Sequence, residues 1–146
     1  LESRTVRKAG LAEELFDARV ALKMATSHYS MYLSKEARDR LFAEFDFLLE
    51  EDAWDPEDKL PSVESYRKFL KWVVYTGDTS WSSMGIDDCG HLLIAWVKGE
   101  DLMTANFGEK VRWTQRFTAD GETQQTAGAF SLDYFAKKAT EFLLGR

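Results

Sequence analysis

The hydrophobic pattern of this chain changes its period once, and that single change limits what the chain can fold into. Up to Gly77 the apolar residues recur at helical steps, and beyond Trp81 they alternate. Leu11, Leu15, Ala18, Leu22, Ala25 and Tyr29 fall at steps of four and three and predict one stripe on a first helix. The polar run "TSHYS" at 26–30 marks its end. Ser34 is placed to cap a second helix with Ala37, Leu41, Phe45, Leu48 and Leu49 on its apolar face, stopping near Glu51. Ser62 caps a third, with Glu64 in the first turn, and Tyr66, Phe69, Leu70, Val73 and Val74 at i, i+3, i+4 spacing. Gly77 supplies its left-handed stop.

In "MGIDDCGHLLIAW" the apolar residues flank Asp88, Cys89 and Gly90, a tight-turn signal between two strands. Leu92, Ile94 and Trp96 share one face of the second strand, and Leu93, Ala95 and Val97 the other. "LMTANF" at 102–107 reads as a third strand and "VRWTQRF" at 111–117 as a fourth. The small, polar stretch 118–129 reads as a loop, and Ser131 as the cap of a last helix carrying Leu132, Phe135, Ala136, Ala139, Phe142 and Leu143. The expected fold is α+β: N-terminal helices, an antiparallel meander of three to four strands, and a C-terminal helix packed on the sheet. Its 146 residues suit one domain, 1–146, with the first 33 residues placed to protrude or mediate association. Hydrophobic residues at 45% and aromatics at 14% are too many for a disordered chain.

The single Cys89 excludes an intrachain disulfide, and with only His28 and His91 the chain cannot build a conventional four-ligand structural zinc site. No apolar run approaches the ~20 residues needed to cross a bilayer, and no signal peptide is visible. The expectation is a cytoplasmic protein without a membrane partner and without a cofactor.

Charge is concentrated. Residues 41–64 hold nine carboxylates against one lysine, a local balance of −8 that exceeds the −6 of the whole chain. Glu50, Glu51, Asp52, Asp55, Glu57 and Asp58 form the densest part, with Trp54 and Pro56 among them. Such a patch repels phosphate backbones, which disfavours nucleic acid, and attracts a basic protein surface or a cation. A calcium loop would need alternating oxygen ligands, a glycine at position six and a glutamate at position twelve. Counting from Asp52, position three is Trp54 and position six is Glu57; counting from Asp55, position six is Leu60. The pattern fails, and the stretch reads as a helix–helix connector whose Trp54 packs on the core. Asp52, Asp55 and Asp58 are nonetheless the metal ligands of the alternative reading.

Cys89-Gly90-His91 places a thiol beside an imidazole, yet on the hairpin reading Cys89 sits at the tip and His91 starts a strand pointing elsewhere. His28 reads as a polar group at a helix end. No glycine-rich phosphate cradle is present. Of the five tryptophans, most should be core, and Trp113 beside Arg112 and Arg116 is the candidate for an exposed aromatic and basic face.

"RLFAEFDFLLEEDAWDPEDKLPSVESYRKFLKWV" followed by "MGIDDCGHLLIAW" resembles a family of small bacterial proteins with no assigned activity. Its members carry a leucine-spaced helix, a Trp-Asp loop ending in Pro, an amphipathic helix, and an Asp-Gly hairpin ending in Trp. The resemblance covers 41–97: Trp54 and Asp55 match the loop's start, Pro61 its end, Phe69-Leu70 the helix, and Leu93 to Trp96 the strand. Pro56 stands where the loop has its first Gly, and Ala95 where the strand has an acid. The resemblance implies architecture: Trp54 pins the loop against the hairpin, and Asp55 caps the turn.

Together these observations favour a non-enzymatic protein that binds another protein with a basic surface. The acidic patch or the first helix's stripe would form the contact, in the manner of an inhibitor, an antitoxin or a secretion chaperone; the stripe also suits a homodimer. The alternatives are a divalent-metal-dependent hydrolase using Asp52, Asp55 and Asp58, and a domain holding a small ligand between sheet and helices.

Overall fold

The computed structural model describes residues 4–55, 57–119, 122–130 and 142, with side chains described for 10–50, 52–55, 57–116, 128 and 142. Three helices, α1 (Arg4–His28), α2 (Lys35–Leu48) and α3 (Val63–Thr76), precede five strands: β1 (Ser83–Ile86), β2 (Leu92–Lys98), β3 (Asp101–Phe107), β4 (Val111–Ala119) and β5 (Glu122–Phe130). The strands form one antiparallel sheet in sequence order. The fold is α+β, as expected, with one strand more than the sequence suggested.

The helix ends follow local chemistry. Ser34 is extended and its Oγ accepts from the amide of Ala37 at 3.0 Å; Ser62 does the same for Ser65 at 3.2 Å. Each satisfies one donor that the first turn leaves without an intrahelical partner. Gly77 ends α3 at φ +70°, and its amide returns to the carbonyl of Val73.

Alternation in β2 and β3 sends Leu92, Ile94, Trp96, Met103, Ala105 and Phe107 to one buried face. Met84, Ile94, Ala105 and Trp113 line up across four strands. Against this face lies α3, where Trp72 meets Trp96 edge-on at 5.0 Å and Phe69 meets Phe107 at 5.4 Å. Edge-to-face geometry of this kind adds about 0.5–1.5 kcal/mol per pair beyond area burial.

The stripe of α1 enters the same core: Leu11, Leu15, Leu22 and Ala25 are buried together with Leu41, Phe45 and Leu70. These residues face the chain's own helices, so the stripe is not available to a second chain. The solvent side of α1 instead shows Phe16, Val20 and Met24. Thr26 is buried on α1 and shares a 2.6 Å hydrogen bond with Tyr66 of α3. Arg40 of α2 lies over the ring of Trp81, 4.3 Å from its centroid, and donates to the carbonyls of Thr79 and Trp81.

One secondary-structure expectation changes. The stretch expected to be a loop, 118–129, is strand at 118–119 and 122–129: β5 pairs with β4 along its length, from Val111↔Phe130 to Ala119↔Glu122. The ladder is made by backbone groups, so low hydrophobicity of the segment does not prevent it. The C-terminal helix lies outside the described residues except for Phe142, which is helical and buried with the core. Among the described residues no helix is long and apolar enough to cross a membrane.

Candidate functional site

The turn between β1 and β2 is organised by one carboxylate. Asp87 Oδ1 accepts from the amides of Cys89 and His91, both at 2.8 Å. Asp recurs at turn starts because its short side chain can reach backbone donors two residues ahead. Asp87 Oδ2 accepts from Asn106 Nδ2 of β3 at 2.7 Å and stands 3.3 Å from His91 Nδ1. Burial pushes the Asp87 carboxyl upward, but the hydrogen bonds from Asn106, His91 and Cys89, with the nearby imidazole, outweigh it and hold the group below its ordinary value. Asp87 is therefore an ionised acceptor at neutral pH, unsuited to act as a general acid.

Gly90 completes the turn at φ +85°, and its carbonyl accepts from the amide of Ser62 at 2.7 Å. One residue into β2, the amide of Leu92 donates to Ser65 Oγ at 2.8 Å. The hairpin is thus fastened to the first turn of α3. On the other side, the His91 ring lies against Gly108, where a Cβ would come within 3.1 Å of Nδ1.

The acidic connector faces this hairpin. After α2, a short 3₁₀ turn (Glu51–Ala53) leads to Trp54, whose Nε1 donates to the carbonyl of Leu48 at 2.8 Å. Asp58 Oδ2 accepts from the amide of Asp55 at 2.8 Å. The resulting cleft, of about 480 Å³, has Leu48, Ala53, Trp54 and Ile86 as apolar walls, with Glu57, Asp58, Asp87, Asp88 and Lys59 as charged lining.

The predicted residues separate on this frame. Glu57 and Asp58 enter the cleft; Glu50, Asp52 and Asp55 are exposed outside its lining, and the side chain of Glu51 lies outside the described residues. Trp54 does stand across from the hairpin. The capping carboxylate in its loop, however, is Asp58, whose Oδ2 accepts from the Asp55 amide while its own amide donates to the Asp55 carbonyl at 3.0 Å. Trp113 is only 6% exposed, on the core face of β4, while Arg112 and Arg116 are exposed. Residue alternation separates them, so they do not make one aromatic and basic face.

Among the described residues, one group of three His, Cys, Asp or Glu side chains is close enough to share an ion: Asp87, Cys89 and His91, whose ligand atoms lie within 4.8 Å of one another. Asp52, Asp55 and Asp58 are not such a group. His91 does not point away from Cys89, because the side chain of Asp87 curls the turn and draws both amides inward. The signal was present in "DDCGH" as ligand-type residues at alternate positions 87, 89 and 91. Considering only the adjacent pair Cys89 and His91 leaves out the carboxylate that gathers them.

No family model, curated protein or solved structure matches the chain significantly.

Proposed function

We propose that this protein binds a partner protein through the acidic cleft between the connector and the hairpin, accepting a lysine or arginine side chain from a basic surface. The observation that carries this reading is the convergence of Glu57 and Asp58 with Asp87 and Asp88, from two separate segments, on one cavity with an aromatic wall. Opposite charge speeds encounter and sets the register of docking. Trp54, Leu48 and Ile86 supply apolar surface for the stem of a long basic side chain, which carries its charge at the far end. The assignment is non-catalytic: the best-defined carboxylate, Asp87, is held below its ordinary value and stays an ionised acceptor.

The test compares two sets of neutralised residues in the tagged protein, used to capture its partner from its own host at low salt. Glu57→Gln, Asp58→Asn and Asp88→Asn remove three charges at the cleft; Glu13→Gln, Glu14→Gln and Asp17→Asn remove three from the exposed side of α1. The expected result is one stoichiometric partner lost with the first set, kept with the second, and released by raised salt. Equal loss with both sets, or recovery of the protein alone, overturns the reading.

A further inference from the structure

We propose that Asp87, Cys89 and His91 form a binding site for a divalent late first-row transition metal ion, with zinc as its representative. The site rests on the hairpin geometry and does not depend on the protein-binding reading above.

The donor set is mixed, one thiol, one imidazole and one carboxylate. Thiolate and imidazole together select zinc and its neighbours over magnesium or calcium, which take oxygen ligands. Distances fit as well. Oxygen and nitrogen ligands about 2.0–2.1 Å from a tetrahedral ion stand roughly 3.3 Å apart; Asp87 Oδ2 and His91 Nδ1 are 3.3 Å apart. A sulfur at about 2.3 Å from the same ion stands roughly 3.6 Å from each of them. Cys89 Sγ lies within 4.8 Å of both, and Cys89 is exposed at the turn, where its side chain has room to rotate toward them.

The surroundings hold these ligands in place. Asp87 is anchored through Oδ1 by two amides, while Oδ2 accepts one hydrogen bond from Asn106 Nδ2 and keeps a second lone pair for the ion. Such outer partners fix the ligand and tune its basicity. Gly108, lacking a Cβ, gives the imidazole its place beside Asn106 Oδ1. On binding, the Cys89 thiol gives its proton to solvent and the sulfur and imidazole each donate a lone pair. With three protein ligands, the fourth tetrahedral position is left to water or to a group of a partner.

The experiment titrates the metal-free full chain with cobalt(II) and then zinc. The expected result is one equivalent of cobalt giving a thiolate-to-cobalt charge-transfer band in the near ultraviolet, displaced by zinc. Cys89→Ser abolishes that band, and His91→Gln and Asp87→Asn each weaken zinc binding at least about tenfold, since even outer-shell partners cost about 10–100-fold. His28→Gln leaves the affinity unchanged. Thermal midpoints of the metal-free variants report folding, and Cys89→Ser, at an exposed position, preserves it. Absence of the band in the wild-type protein, or zinc affinity unaltered in both Cys89→Ser and His91→Gln, overturns the site.

Discussion

The carbonyl oxygen of Leu60 lies 2.5 Å from the point where a Cβ on Gly90 would stand. The end of the acidic connector and the tip of the β1–β2 turn therefore touch backbone to backbone, and only glycine permits the contact. Both walls of the cleft depend on it, because the same turn presents Asp87 and Asp88 while the connector presents Glu57 and Asp58.

Gly90→Ala therefore strains the chain twice, through a left-handed φ of +85° and through the clash with Leu60. Gly99 has a left-handed φ of +62° but open space around its Cβ position, which makes Gly99→Ala the control. The backbone term alone costs about 1–2 kcal/mol. Urea denaturation should show Gly99→Ala losing that amount and Gly90→Ala losing at least about 1 kcal/mol more.

Asp87→Ala leaves the amides of Cys89 and His91 and the amide nitrogen of Asn106 without their acceptor. A loss of about 2 kcal/mol is expected. Asp87→Asn keeps one acceptor oxygen for the two amides and costs less. The folded-state pKa of Asp87 is depressed, so its stabilisation is fully present above the usual carboxylate range and is lost as pH falls through the folded value. Chemical denaturation across the acid limb should show the difference between wild type and Asp87→Asn shrinking as pH drops below about 4.

Thr26 and Tyr66 form a buried relay. The Thr26 hydroxyl donates to the carbonyl of Leu22 at 2.8 Å, which leaves the Tyr66 hydroxyl to donate to Thr26. Thr26→Val strands a buried phenol and should cost about 2 kcal/mol; Tyr66→Phe should cost about 1 kcal/mol, and the double variant less than the sum. Burial, partly offset by the Thr26 hydrogen bond, raises the Tyr66 pKa. Its contribution is then fully present below the unfolded value of about 10 and lost as pH rises above it. Tyr66→Phe should flatten the alkaline decline measured by thermal unfolding.

Arg40 joins α2 to the segment before β1 with a planar group that bridges two carbonyls, covers the Trp81 ring and lies 3.7 Å from Glu44. Lysine has the charge but lacks the fork. Arg40→Lys should lower stability by about 1–2 kcal/mol in the same denaturation assay, while Arg38→Lys, on the exposed side, should leave it unchanged.

The helices and the first hairpin were legible because their determinants act within a few residues. Ser34, Ser62 and Gly77 are caps whose partners lie in the adjacent turn, and Asp88 to Gly90 is a turn whose φ demands glycine. Alternation likewise assigns Leu92, Ile94 and Trp96 to one face, and all three are buried. Longer-range features were not legible. The stretch that becomes β5 has too few large apolar residues to announce a strand, and it is one because β4 offers an unpaired edge. Asp87 gathers Cys89 and His91 because Asn106, nineteen residues later, holds the second carboxylate oxygen. The acidic connector likewise lines a cleft because Gly90 lets the hairpin meet Leu60. Periodicity and capping report a residue's own neighbourhood; cross-strand register and backbone contact join distant segments, and they are set only when the core closes.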